Sequence, residues 1–366
     1  MNVGGPAWQV SVLTRGLDPD RYVTKLLCGE VEDTEADYVE LRDPDLPVHR
    51  VPSLGREVRF IDDIRSLRIL WREIRAFRPD IIHTHTAKAG VLGRLVAIVA
   101  RVPIRVHTFH GHLLYGYFSP LRSRLVRVLE SVLARWTTVL IAVGEQVRDD
   151  LLAAGIGRPE QYSVIAPGVK FESVPEQRQS RDRLGLPFDA PILLFVGRLT
   201  QVKRPDRLIE TMNILLKRVP EAVLVVAGGG EQLEKTRLDA SPLGDSVRFL
   251  GWCAEITELY AAADVAVICS DNEGMPVTLI EAALVGLPAV ATDVGSVREV
   301  VVDGETGLLV EPTAEAVAEG VVRLFEDAEL RLRLGNEASR RAACRFGVDR
   351  LVREHDDLYQ RFVRSK

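Results

Sequence analysis

The sequence predicts an α/β protein built as two halves, each a parallel sheet covered by helices. Three observations carry this. Short runs rich in Val, Ile and Leu, at 81–82, 104–109, 191–196 and 265–268, end in glycine or polar turns and give way to helical spacing. That alternation of buried strand and covering helix is the signature of parallel sheets. The pattern fills residues 1–170, is interrupted by a polar, proline-containing linker at 171–190, and resumes over 191–347. Finally, 366 residues with 46% hydrophobic and 27% charged content suffice for two separate cores.

In chain order, Gly4-Gly5-Pro6 reads as a glycine turn opening a helix that carries Trp8, Val10, Val12 and Leu13 and ends at Gly16. Such a turn follows a strand, yet only a few residues precede it. The expectation is therefore a doubly wound sheet whose first N-terminal strand is missing, with the true start of the chain upstream of Met1. Residues 22–28 read as a strand, and an acidic, weakly patterned segment runs on to Arg50. The triplets Asp18-Pro19-Asp20 and Asp43-Pro44-Asp45 match a D-x-D metal pattern, but a central proline in a loop favours turns.

Residues 61–77 form a helix with Arg65, Arg68, Arg72 and Arg75 on one face beside Ile64, Leu67, Trp71 and Ile74. The strand over 79–85 ends in His83 and His85, which point the same way because side chains alternate along a strand. Without a carboxylate or cysteine close by, they read as polar groups at the C-terminal end of a strand rather than as metal ligands. That edge is where open α/β sheets bind ligands. The strand over 104–109 repeats the arrangement and ends in His110-Gly111-His112, with His110 the candidate to face a ligand. An apolar loop, 113–118, leads into a helix over 119–135 in which Arg122, Arg124, Arg127 and Arg135 accompany Leu121, Leu125, Leu129, Val132 and Leu133. This helix suits either ordinary core packing or a peripheral seat on anionic membrane. Residues 50–135 hold 16 Lys and Arg against 6 Asp and Glu, whereas 181–366 hold 23 against 30, so the net charge of −5 conceals a basic N-terminal half.

In the second half, the strand over 191–196 leads into Gly197-Arg198, with Lys203 five residues further on. Two cations so placed can converge on a pair of phosphates. The strand over 222–226 ends at Gly228-Gly229-Gly230, a phosphate-loop lookalike without its Gly-Lys-Ser/Thr ending. The strand over 265–268 meets the turn Ser270-Asp271-Asn272-Glu273-Gly274, and a helix starts just inside Pro276. Backbone N–H groups from Gly274 through Met275, Val277 and Thr278 make an anion cradle at that helix start. Glu273 and, eight residues on, Glu281 flank it. Ionised carboxylates accept several hydrogen bonds and suit the hydroxyls of a ribose or hexose attached to a phosphate. A sugar nucleotide is the ligand class implied.

Cys28, Cys253, Cys269 and Cys344 are widely spaced, with no C-x-x-C pair, which suits a reducing compartment without structural zinc. No apolar run reaches 18 residues, and the first residues lack a basic n-region and apolar h-region. A cytoplasmic protein is expected, with no nucleic acid as partner. A dinucleotide oxidoreductase is disfavoured by the lack of a G-x-G-x-x-G turn followed by an acidic residue.

Taken together, Gly4-Gly5, His110, Gly197-Arg198 with Lys203, and Glu273 with Glu281, in this order, make the chain resemble the retaining glycosyltransferases of family 4, whose fold is called GT-B. The blocks NVGGPA, HTHTAKAG, HTFHG, FVGRL, EGMPVTLIEA and DGETGLLV extend the resemblance over nearly the whole chain. It implies two Rossmann-like domains facing across a cleft, the nucleotide-sugar donor, UDP-linked before GDP-linked, on the C-terminal one, and a last helix within 348–366 returning to the N-terminal one. By position it implies Arg198 and Lys203 on the diphosphate, Glu281 on the ribose, and Glu273 on the donor sugar with the backbone of Gly274, Met275, Pro276 and Val277. It also implies His110 at the sugar and Gly5 near the phosphate, no cofactor or metal, and a saccharide or lipid-linked acceptor. The Pro167-Gly168-Val169-Lys170 segment departs from the family's usual hinge sequence. Two other classes fit the same residues: a sugar-nucleotide epimerase on this fold, and a silent sugar-nucleotide-binding protein.

Overall fold

The apolar runs form three parallel sheets in the computed structural model, which describes residues 1–366 except Val3, 32–35, Arg56, 112–119 and 365–366. Two units divide the chain: Met1–Gly168 with Val348–Lys366, and Val169–Gly347.

In the first unit the elements run α1 (Gly5–Gly16), β1 (Leu26–Gly29), α2 (Tyr38–Arg42), β2 (Val48–Val51), α3 (Phe60–Phe77), β3 (Ile81–His85), α4 (Ala87–Val99), β4 (Ile104–Phe109), α5 (Pro120–Arg135), β5 (Val139–Ala142), α6 (Glu145–Ala153) and β6 (Tyr162–Val164). Strands β3-β4-β5-β6 pair in sequence order, while β1 and β2 pair with each other in a separate sheet. The strand expected at 22–28 is shorter and later, because residues 22–25 make no ladder. The Asp-Pro-Asp triplets are turns: Asp18 Oδ1 accepts from the Asp20 N–H at 3.0 Å, and Asp43 accepts from Ser11 Oγ at 2.6 Å.

The second unit runs α7 (Gln177–Arg183), β7 (Ile192–Val196), α8 (Pro205–Leu215), β8 (Val223–Ala227), α9 (Leu233–Ala240), β9 (Val247–Gly251), α10 (Ile256–Ala262), β10 (Val265–Ile268), α11 (Val277–Leu284), β11 (Ala289–Thr292), α12 (Val297–Val300), β12 (Gly307–Val310), α13 (Ala314–Glu326) and α14 (Ala328–Arg345). Its sheet has the order β12-β11-β10-β7-β8-β9. The chain winds outward from β7 through β8 and β9, then returns to the other side of β7 with β10. That reversal places a topological switch point between β7 and β10, where open α/β sheets take ligands at the carboxyl ends of their strands. Strand residues Leu193, Phe195, Leu224, Val226, Val265 and Val267 are buried against Leu208, Met212, Val317 and Val321 of α8 and α13.

The stretch 171–190, expected as a linker, belongs to the second unit. Arg181 on α7 is buried; it donates to the carbonyls of Ala262 at 2.9 Å and Phe188 at 2.6 Å and pairs with Asp264 at 2.7 Å. A guanidinium with that many partners fixes the segment onto α10 and the start of β10. The chain then closes with α15 (Val348–Arg364), which is part of the first unit. Leu351, Leu358 and Tyr359 share a core with Val12, Leu13, Ile104, Val106, Val139 and Ile141.

Candidate functional site

The two loops at the switch point are joined side chain by side chain. After β7 the chain passes Gly197 and Arg198 into a single 3-10 turn, Gln201–Lys203. After β10 it passes Cys269–Pro276 into α11, whose N-cap is Pro276. Lys203 Nζ donates to Glu273 Oε1 at 2.6 Å, and the Ser270 hydroxyl donates to the same oxygen at 2.6 Å. Glu273 is buried, so an unpartnered charge there would be costly; both neighbours offset that cost. The Asp271 N–H donates to the Val202 carbonyl at 2.9 Å. Arg207, itself buried, donates to the Cys269 carbonyl and pairs with Asp271 at 2.7 Å. Behind the loop, Thr292 Oγ1 donates to the Ser270 carbonyl at 2.8 Å.

The glycine turns here serve close backbone approach. A Cβ at Gly228 would lie 2.0 Å from the Gly197 carbonyl oxygen, and one at Gly230 would lie 2.5 Å from that of Leu199. The triple glycine therefore lets the β8 turn press against the Arg198 loop, with Leu199 N–H donating to the Gly229 carbonyl at 2.8 Å. Gly295, at φ +51°, lies under Glu273 in the same way: its Cβ would meet the Glu273 carbonyl oxygen at 2.0 Å.

Helix α11 begins at Val277, so the N–H groups of Val277 and Thr278 have no intrahelical partner. Leu279 and Ile280 both donate to the Pro276 carbonyl, at 3.0 and 3.3 Å. Glu281 lies in the second turn and accepts from the Tyr260 hydroxyl at 2.7 Å. Arg198 is exposed at the mouth of the β7 loop, Met275 is buried and Gly274 half-buried. The Cys269 thiol is no nucleophile, for burial pushes its pKa up to about 12.

His110 and Gly5 lie in the other unit. His110 follows β4, and its Nε2 is 2.9 Å from His85 Nδ1. His83 stands over His85, ring centroids 4.2 Å apart, and contacts Tyr359 Oη at 2.6 Å and Thr108 Oγ1 at 2.7 Å. His355 of α15 stacks on His83 at 5.7 Å. Burial holds His83, His85 and His107 well below the ordinary imidazole value, neighbouring histidines adding to it at His83 and His85 and Arg94 at His107; burial also pushes His110 down to about 3 and His355 to about 4. These imidazoles are neutral at pH 7. Gly5 opens α1, with Trp8 Nε1 donating to the Gly168 carbonyl at 2.6 Å. The loop 113–118 and His112 lie outside the described residues. Among the described residues no group of three or more His, Cys, Asp or Glu is placed to hold a metal ion.

The structure thus brings Lys203 and Glu273 into one ion pair and sets Glu281 on the helix that follows. Ser270, Arg207, Gly295 and Tyr260 support this loop and helix, and none of them was given a role in the sequence reading. Only the three-residue spacing of Ser270 and Glu273 gave a local signal.

Residues 176–341 match the family described as glycosyl transferases group 1, and residues 4–168 match the glycosyl transferase 4-like domain. The D-inositol 3-phosphate glycosyltransferase of Streptomyces bingchenggensis is 33% identical, over 81% of this chain and 69% of that protein. The chain is a family 4 glycosyltransferase. An Escherichia coli relative of the transferase, UDP-Gal:alpha-D-GlcNAc-diphosphoundecaprenol alpha-1,3-galactosyltransferase, is 28% identical over 96% of this chain and 92% of its own. Anabaena Alr3699/HepE, solved in complex with UDP-glucose, matches with a TM-score of 0.83 at 24% identity, over 98% of the transferase and 96% of that chain. Its two Rossmann-like units are those of the GT-B fold.

Proposed function

We propose that the transferase moves a sugar from a UDP-sugar to a hydroxyl of a lipid-linked saccharide, with retention at the anomeric carbon and without a metal ion. The observation that carries this is the switch-point constellation: Lys203 on Glu273, beside the start of α11, with Glu281 one turn further on. In this reading Arg198, Lys203 and the α11 N-terminus receive the diphosphate, Glu281 the ribose, and Glu273 with the Gly274–Val277 backbone the sugar. The acceptor oxygen bonds to the anomeric carbon as that carbon's bond to the β-phosphate oxygen breaks. The electron pair stays on the diphosphate, and the hydroxyl proton passes to the released oxygen. Charge therefore develops on the diphosphate, where Arg198, Lys203 and a helix N-terminus stabilise it. This chain's own cations supply what Mg²⁺ provides elsewhere.

The lipid side rests on α5. Leu125, Val128, Leu129 and Val132, at helical spacing, are 39–69% exposed, and Trp136 follows at 57%. Arg124, Arg127 and Arg135 are exposed on the same helix. An apolar stripe with arginines at its border suits an anionic bilayer, the place of a polyprenyl-linked acceptor such as the one the E. coli relative is named for. No helix among the described residues is long and apolar enough to cross a membrane. Titration calorimetry with UDP, GDP and ADP in EDTA tests the donor. Tight binding of UDP alone, weakened in Lys203→Ala, is the expected result; no binding, or binding that requires a divalent cation, overturns it. Proton NMR of the product's anomeric coupling decides retention.

A further inference from the structure

We infer that Tyr260 is a positioning residue for donor recognition, holding the Glu281 carboxylate in the orientation that meets the ribose hydroxyls. The inference rests on the donor reading above and adds to it a residue from a different element. Tyr260 lies on α10, 21 positions before Glu281, and is 2% exposed. Its ring is fixed by burial and lies 6.5 Å from that of Phe171. Its hydroxyl donates to Glu281 Oε2 at 2.7 Å, a charge-assisted bond to one of the two carboxylate oxygens.

The physical case concerns order. A glutamate on a helix has three rotatable side-chain bonds, and immobilising such a side chain when a ligand arrives weakens binding by about two- to tenfold. A rigid, buried phenol that already holds one oxygen removes most of that cost before the nucleotide binds. Rigidity is inherited along the chain: α10 is fastened to α7 through Arg181, which donates to the Ala262 carbonyl at 2.9 Å and pairs with Asp264. Glu281 is thereby held by a residue from outside its own helix.

The effect is specific to the ribose, which gives the test. Binding of UDP, 2′-deoxy-UDP and 2′,3′-dideoxy-UDP is measured by calorimetry for the wild-type chain and for Tyr260→Phe, Glu281→Ala and the double variant, each checked for a native melting transition. Tyr260→Phe keeps the ring and loses only the hydroxyl. It is expected to weaken UDP about five- to tenfold, leave the dideoxy nucleotide unchanged, and shrink the preference for UDP over 2′-deoxy-UDP. In the Glu281→Ala background the same change is expected to have no effect. Equal weakening of all three nucleotides, or an unchanged ribose preference in Tyr260→Phe, overturns the role of Tyr260 while the donor reading stands. A wild-type chain that binds none of the three, or one whose ribose preference survives Glu281→Ala, overturns the donor reading and the inference with it. If Tyr260→Phe fails to melt cooperatively, Tyr260→His supplies a second ring of reduced reach, for which the same loss of ribose preference is expected.

Discussion

At the scale of single residues, Glu273 shows how a transferase keeps a charged group where water is scarce. Its Oε1 accepts from Lys203 and from Ser270, both at 2.6 Å, so the carboxylate is satisfied before any ligand arrives. A diphosphate would compete for the same ammonium, and Lys203 would exchange one anion for another. Lys203→Ala is therefore expected to lower turnover by at least a hundredfold, about 3 kcal/mol of transition-state stabilisation; near-normal kcat in a steady-state assay would count against its role. Gly295 sets a second expectation. With φ +51° and a Cβ position 2.0 Å from the Glu273 carbonyl, Gly295→Ala should cost about 2 kcal/mol of stability and weaken UDP binding. Gly229→Ala, with open space around its Cβ, should stay within about 0.5 kcal/mol in the same denaturant titration. Lys203, Glu273 and Glu281 could be singled out in the sequence as charged residues in the loops and first helix turns that follow strands, and the structure joins the first two in one ion pair. Arg207, Tyr260 and Ser270 could not be, since each acts on another side chain through tertiary contact, Arg207 on Asp271 across 64 residues.

At the scale of elements, α5 resolves an ambiguity that periodicity left open. Its sequence is apolar on two sides, and only packing tells them apart. Leu133 and Ala134 are buried, and Glu130 reaches the fully buried Arg94 of α4 through two bonds of 2.9 and 2.7 Å. The opposite stripe is exposed. Glu130→Ala is expected to cost about 3 kcal/mol, because Arg94 would be left as an uncompensated buried charge; a denaturant midpoint unchanged from wild type would contradict this. Paired changes on the outer stripe, Leu125→Gln with Val128→Gln, should leave stability within about 0.5 kcal/mol. If the proposed membrane seat is α5, the same pair should abolish sedimentation with anionic vesicles, and retained sedimentation would overturn that proposal. The segment 171–190, expected as a linker, groups with the second unit through contacts that are equally invisible to local pattern. A polar, proline-bearing stretch reads as loop, and nothing local shows that Arg181 is buried against α10 and the start of β10. The order of the second sheet was legible only as a class. That β10 returns beside β7, which creates the switch point, is a pairing choice between segments some 70 residues apart.

At the scale of the whole molecule, histidine is divided unequally, and the division has a consequence for acid stability. The unit Val169–Gly347 contains no histidine, whereas in the other His83, His85 and His110 lie beside His355 of α15, and His107 faces Gly90 of α4. Their pKa values are lowered in the folded state, chiefly by burial. The unfolded chain binds protons near pH 6.5, while the folded unit resists them down to about 3 for His110 and about 4 for His355. Below pH 6.5 the unfolded state thus holds more protons, and stability falls with pH until the folded values are reached. His107 and His355, at most 2% exposed, should each remove about 2 kcal/mol between pH 6.5 and 5. Trp8, Trp71 and Trp136 report on the histidine-rich unit and Trp252 on the other, so tryptophan emission follows mainly the sensitive part. Urea unfolding by fluorescence at pH 7 and pH 5 is expected to show a large loss of midpoint. A His355→Gln variant should lose less between the two, because one titrating group has been removed from the helix that closes the unit. Equal pH dependence in the two proteins would mean that His355 is not among the groups whose protonation opens the first unit.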